Sequence, residues 1–205
     1  MSHHPDNLHR ESDNVRGEVM RLGEFDCSTG LINILYHDKI KDISVRTSTL
    51  SDMPLIDKLQ KENSNAVGFI QKSIWDKYVF GGERNFVVLI CEANNDAVGY
   101  VLITPGMSSY RYAKIQQICV RNDARRLHYG TALLDVCKQF CIKFHRIGFT
   151  LRCRVDLDSN NFWKSLGFTN YATWEKGKIN HVGFKASNDI NLWKIELNNN
   201  ILQLL

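Results

Sequence analysis

Hydrophobic positions change period several times along the chain, and each change marks an element. Residues 115–120 form a strand-like run that crosses a polar turn at 121–124 into a helical pattern. There Leu133, Leu134, Cys137, Phe140, Cys141 and Phe144 recur at three- and four-residue steps, which places them on one buried helix face. Upstream, residues 43–47 read as a first strand. Thr49 with Asp52 three residues on forms a helix-start pattern, and Pro54 falls where a first turn tolerates it. Leu55, Ile56 and Leu59 then predict a helix ending near Asn63. Residues 64–68 read as a break and 69–80 as a second helical stretch before Gly81-Gly82. Strand-like runs at 86–91 and 97–104 flank Asn94-Asn95-Asp96, a hairpin signal. Downstream, 149–155 alternates as a strand, 158–166 is a short helix closed by Gly167, and 168–174 and 190–197 are final strands. Residues 31–36 fit a short strand or a helical turn at the domain edge.

The resulting order, β-α-α-β-β-β-α-β-α-β-β, predicts an α+β fold with a mixed, largely antiparallel sheet flanked by helices. With 205 residues, 43% hydrophobic and 23% charged, the chain suits one globular domain. We place it at 42–198, after a partly mobile N-terminal extension (1–41) and before a short tail (199–205). The net charge is +4, and Lys138, Lys143, Arg146, Arg152 and Arg154 crowd into the same third as the polar turn. That suits an anionic ligand and is too mild to demand nucleic acid. The six cysteines show no C-x-x-C pair and no metal-type spacing with histidine, so reduced core thiols, a cytoplasmic location and no metal are expected. No stretch has the length of a membrane span, and no membrane partner is expected.

The turn itself carries the chemistry. A strand that feeds a basic, glycine-containing turn at a helix start presents amides without intrahelical partners and the positive end of the helix dipole. Arg125 and Arg126 add forked donors suited to phosphate. On spacing alone, an ordinary strand–turn–helix with solvated arginines explains the segment equally well. The order of residues goes further. Arg125-Arg126-Leu127-His128-Tyr129-Gly130 resembles the acetyl-CoA signature Arg/Gln-x-x-Gly-x-Gly/Ala of the GNAT N-acetyltransferases, with His128 in place of the middle glycine. Residues 160–168, Asn-Asn-Phe-Trp-Lys-Ser-Leu-Gly-Phe, resemble that family's Asn-x-Phe-Tyr-x-x-Leu-Gly-Phe ending, and the likeness in element order covers about residues 43–197.

The resemblance implies an acetyl-CoA-dependent N-acetyltransferase that acts on a primary amine of a small molecule or peptide. It implies that Arg125, Arg126, Leu127, His128, Tyr129, Gly130 and Thr131 take the pyrophosphate. Ile118, Cys119 and Val120 would lie along the pantetheine, and Asn160 would hydrogen-bond it, although a helix N-cap fits Asn160 as well. Trp163 stands where many members carry a tyrosine acid; Tyr129 and Tyr171 are the nearest substitutes, and packing explains each of them better. Asp156 and Glu92 are the candidate general bases, against an ion pair with Arg154 and a hairpin-end position respectively. Cys119 reads as a core thiol, because no histidine is arranged to activate it. The departures at His128 and Trp163 keep a catalytically lapsed, coenzyme A- or protein-binding module in play. Arg152 and Arg154 keep an RNA-directed (aminoacyl-tRNA) enzyme in play. A homodimer stays open.

Overall fold

In chain order the elements are β1 (Ile34–Asp38), β2 (Ile43–Thr47), α1 (Met53–Glu62), α2 (Ser64–Val67), α3 (Lys72–Trp75), β3 (Val87–Ala93), β4 (Asp96–Thr104) and β5 (Tyr112–Val120). They continue with α4 (Tyr129–Lys143), β6 (Gly148–Arg154), α5 (Ser159–Ser165), β7 (Thr169–Trp174) and β8 (Ile190–Glu196). This computed structural model describes residues 34–38, 43–75, 86–104, 111–179 and 185–197. The expected extension before residue 34, residues 76–80 of the predicted 69–80 helix, the Gly81-Gly82 turn and the tail lie outside those residues.

Among the described residues, one sheet holds eight strands, in the order β1-β2-β3-β4-β5-β6-β8-β7. Every neighbouring pair is antiparallel except β5 with β6. The mixed, largely antiparallel sheet predicted from the sequence is therefore present. Of the stretch 31–36, the described residues 34–36 are strand, since β1 pairs with β2 at the sheet edge. Asn94 and Asn95 both adopt positive φ, 50° and 61°, as a two-residue hairpin turn requires.

Two expectations need correction. Residues 64–68 are a helical turn rather than a break. Asn63 closes it by accepting the Ala66 and Val67 amides at 2.8 and 3.0 Å, and Gly68 ends it at φ 74°. Of the predicted 69–80 helix, residues 69–71 are not helical and α3 begins at Lys72.

The sheet separates two hydrophobic layers. On one face Leu133, Leu134 and Cys137 of α4 pack with Leu89, Val101, Ile103, Ile115 and Phe149. On the other, Ile56 and Leu59 of α1 and Trp75 of α3 pack with Val88, Ile90, Tyr100, Leu102 and Cys119. Strand alternation produces both layers from the same strands: Val88 and Ile90 face α1, while Leu89 and Cys91 face α4. β6 meets β8 so closely at Gly148 that a Cβ there would lie 1.9 Å from the Ile195 carbonyl oxygen. Only glycine fits that position.

Candidate active site

β5 and β6 run side by side for three residue pairs, ending at Lys114 opposite Thr150, and then part. From Ile115 to Val120, β5 keeps β4 on one side and has no strand partner on the other. A parallel pair needs no helix to force it apart here, because β5 carries a bulge. Leu102 pairs with Gln117 but Ile103 with Ile115, so Gln116 is an extra residue. The bulge turns the strand over: Ala113 and Ile115 face α4, whereas Cys119 faces α1 and Ile118 and Val120 pack toward α4. The parting opens a cleft of about 1010 Å³. One wall is β5 with Asn63, Ala66 and Val67; the other is Leu151, Arg152 and Cys153 of β6 with Phe162 and Trp163 of α5.

The basic turn sits at the mouth. Ala132 is the first residue of α4 whose amide bonds back, to the His128 carbonyl at 3.0 Å. The Tyr129, Gly130 and Thr131 amides precede it and have no helical partner. All three residues line the cleft, as do Arg125, Arg126 and His128. Leu127 does not, and it is exposed. His128 holds φ 67° and Arg126 φ 64°, a left-handed conformation that glycine adopts more cheaply. The middle-glycine position therefore keeps a glycine-like backbone while carrying a histidine. A Cβ at Gly130 would lie 3.1 Å from Cζ of Phe162, so the ring comes against the glycine side of the helix start. Arg125 is held in place: its Nε donates to the Val120 carbonyl at 3.3 Å and its Nη2 to Asn63 Oδ1 at 2.6 Å.

Of the other predicted residues, Ile118, Cys119, Val120 and Trp163 line the cleft. The Cys119 thiol is buried near the Leu59 carbonyl, 3.8 Å away, and burial pushes it up to about 11. It stays protonated at neutral pH, as a core thiol does. Trp163 is buried between Phe162 and Phe168, with ring centroids 5.0 and 5.2 Å away. Asn160 lies off the cleft lining. Its Nδ2 donates to the carbonyls of Arg154 (2.7 Å), Val155 (3.1 Å) and Leu157 (2.7 Å). Its Oδ1 accepts from Asn191 Nδ2 (3.1 Å) and Trp193 Nε1 (3.0 Å). The N-cap of α5 is Asp158, so the N-cap reading of Asn160 is corrected: its amide clamps the β6–α5 junction onto β8. Asp156 and Glu92 do not line the cleft either. Asp156 is exposed and paired with Arg154 at 2.5 Å, whose hydrogen bond holds its carboxyl below the usual range. Glu92 accepts from Arg46 Nε at 2.8 Å and Ser44 at 3.2 Å, within the β2–β3 pair. Tyr171 is exposed on β7.

The sequence reading missed a buried polar network behind β5. Tyr100 Oη donates to Gln117 Oε1 at 2.9 Å. Gln117 Nε2 donates to the Val67 carbonyl at 3.0 Å and to Gln60 Oε1 at 3.3 Å, which also accepts the Ile70 amide at 2.9 Å. It fixes the α1–α2 wall to the strand through satisfied groups. Arg154 adds a bridge across the cleft, donating to the Asn65 carbonyl at 2.8 Å. The adjacent pair Gln116-Gln117 in an otherwise alternating strand was the available signal for the bulge.

The model of the acetyltransferase (GNAT) family matches residues 53–168, more than half of the chain. No curated protein sequence matches it. Among solved structures, the fold is similar to the ribosomal-protein-S18-alanine N-acetyltransferase of Escherichia coli. That match has 15% identity and a TM-score of 0.57 and covers 76% of this chain and 94% of that one. It is also similar to the spermidine N-acetyltransferase of Vibrio cholerae in complex with CoA and spermine. There the identity is 11% and the TM-score 0.61, over 75% of this chain and 95% of that one. With strand order, parted cleft and family model in agreement, the chain belongs to the GNAT family of acetyltransferases and is an acyltransferase.

Proposed function

We propose that this enzyme transfers an acetyl group from acetyl-CoA to a primary amine. The observation that carries the reading is the parting of β5 and β6 directly beside the start of α4. It lays the unpartnered edge of β5 and the free amides of α4 along one cleft. Those amides, with Arg125 and Arg126, would hold the diphosphate, where the helix dipole adds to their charge. The backbone of Ile118, Cys119 and Val120 would hold the pantetheine arm as an added strand does, through main-chain hydrogen bonds.

Acetyl-CoA brings the activated thioester; the chain supplies position. Holding amine and thioester together is worth up to ~7–11 kcal/mol of barrier. The new N–C bond forms as the C–S bond breaks, the sulfur leaves as thiolate, and the amine loses a proton. Asp158 is the one carboxylate among the described residues that line the cleft, at its α5 end. Asp156 and Glu92 lie elsewhere, so the proton leaves through water. The five described cysteines are free and buried, which supports a reducing cytoplasmic location.

Two measurements test this reading. Acetyl-CoA at millimolar concentration should raise Tm, since it binds the native state selectively. Thioester loss should then accelerate with at least one amine of a broad panel. No thermal shift would sink the cofactor assignment. A shift without turnover would favour the lapsed module, a reading to which the tryptophan at position 163 lends weight.

A further inference from the structure

Beside the point where β5 and β6 part, two cations stand together without a counter-charge. Lys114 is half-buried and pairs in register with Thr150; Arg152 lies two residues along β6 on the same face, exposed and lining the cleft. Neither has a carboxylate among the described residues. Their neighbours on this face do: Arg154 pairs with Asp156 at 2.5 Å and Lys194 with Glu196 at 3.5 Å. The Arg152 guanidinium is also oriented, with its Cζ 5.4 Å from the centroid of the Trp174 ring. Burial, and then the charge of Arg152, hold the Lys114 ammonium below the usual lysine range. Two adjacent cations, one of them losing water, cost stability until an anion joins them. They are also far from the phosphate turn: six residue steps of strand lead from Lys114 to Val120, a run of ~20 Å. The diphosphate held at Arg125 and Arg126 therefore does not reach them.

We infer that Lys114 and Arg152 form an anion subsite for the acceptor, which carries a carboxylate or phosphate close to its amine. The inference rests on the proposed acetyl transfer and names the substrate class for that same cleft. A guanidinium fork stacked on a ring and a neighbouring ammonium suit an oxyanion group, one in a planar and the other in a point-charge manner. They oppose a polyamine acceptor, whose second ammonium would meet like charge.

Matched probes test it on CoA-loaded protein by calorimetry: β-alanine against its amide, O-phosphoethanolamine against ethanolamine, and the peptide Ser-Glu-Glu against Ser-Gln-Gln, with spermidine as the cationic arm. The anionic member of at least one pair should bind tenfold or more tightly than its neutral partner, and which pair responds separates carboxylate from phosphate and free amine from peptide. Lys114→Met and Arg152→Gln should each abolish that preference. Lys114→Met should also raise Tm, because it removes an unpaired, half-buried charge, and this shows that the variant folds. Equal or undetectable binding within every pair, tightest binding of spermidine, or a preference that survives both substitutions overturns the subsite. Failure of CoA itself to bind would instead bring down the proposed function, and calorimetry registers that separately.

Discussion

His128 concentrates the residue-scale question. The family pattern expects glycine there, and the backbone, at φ 67°, is where glycine is cheapest. A non-glycine residue in that region costs about 1 kcal/mol or more, and histidine is among the residue types that tolerate it best. The histidine therefore sits in a backbone conformation that suits the glycine the resemblance expects at this position. His128→Gly should leave Tm unchanged or higher, with strain relief offsetting glycine's extra chain entropy, and should keep or improve acetyl-CoA affinity by calorimetry. A tenfold loss of affinity would show instead that the imidazole contacts the ligand or braces the loop. At Gly130 the resemblance implies a pyrophosphate contact, and the structure adds a second constraint: the Phe162 ring lies 3.1 Å from where a Cβ would stand. Asn160 was opaque for a plainer reason: its partners Asn191 and Trp193 lie 31 and 33 residues away.

Elements whose cause is local were legible, and those fixed by distant partners were not. The apolar stripe from Leu133 to Phe144 and the Asn94-Asn95 turn are local, and both took the predicted form. The helical turn α2 was missed because it is made by Asn63 and Gly68 rather than by any apolar period. The bulge at Gln116 depends on its pairing with β4, a distant partner that no local pattern reveals. One junction between elements yields a pH prediction. Asp52, at the start of α1, accepts both guanidinium arms of Arg46 on β2 at 2.8 Å and the Thr49 amide at 2.7 Å, while Arg46 also binds Glu92 on β3. Burial alone would raise the Asp52 pKa, but the Arg46 and Thr49 hydrogen bonds outweigh it and hold the carboxyl below its ordinary 3.8. A depressed folded pKa contributes stability that is present above 3.8 and lost as pH falls through the folded value. Asp52→Asn should therefore be less stable than wild type at pH 7 by chemical denaturation. The gap should narrow steadily below about pH 4. A gap that stays constant to pH 2 would show that the carboxylate's charge does not tie α1 to the sheet.

At the scale of the whole molecule, the sheet is two ribbons held by a short seam. β1 to β5 pair continuously on one side, β6, β8 and β7 on the other, and among the described residues the strands join only through the three β5–β6 pairs, extended by the Ile147 amide donating to the Arg111 carbonyl at 2.9 Å. Side chains reinforce the seam: Phe149, Leu151 and Trp163 share a core with α4, and Arg154 reaches over to Asn65. The cleft that the proposed function needs is thus also the weakest line through the fold. A ligand in it would touch both ribbons, so binding should register as cohesion between them and not as local protection alone. Elements with fewer cross-contacts open below the global free energy. By amide exchange with mass-spectrometric readout, β7, β8 and α5 should exchange faster than β3 and β4 in the free protein. Saturating acetyl-CoA should slow β7 and β8 along with the cleft walls, although neither strand contributes a residue to the cleft lining. Uniform exchange across both ribbons in the free protein would mean that α4 and the shared core make one cooperative unit. Protection confined to the lining residues would mean that the ligand binds one ribbon only.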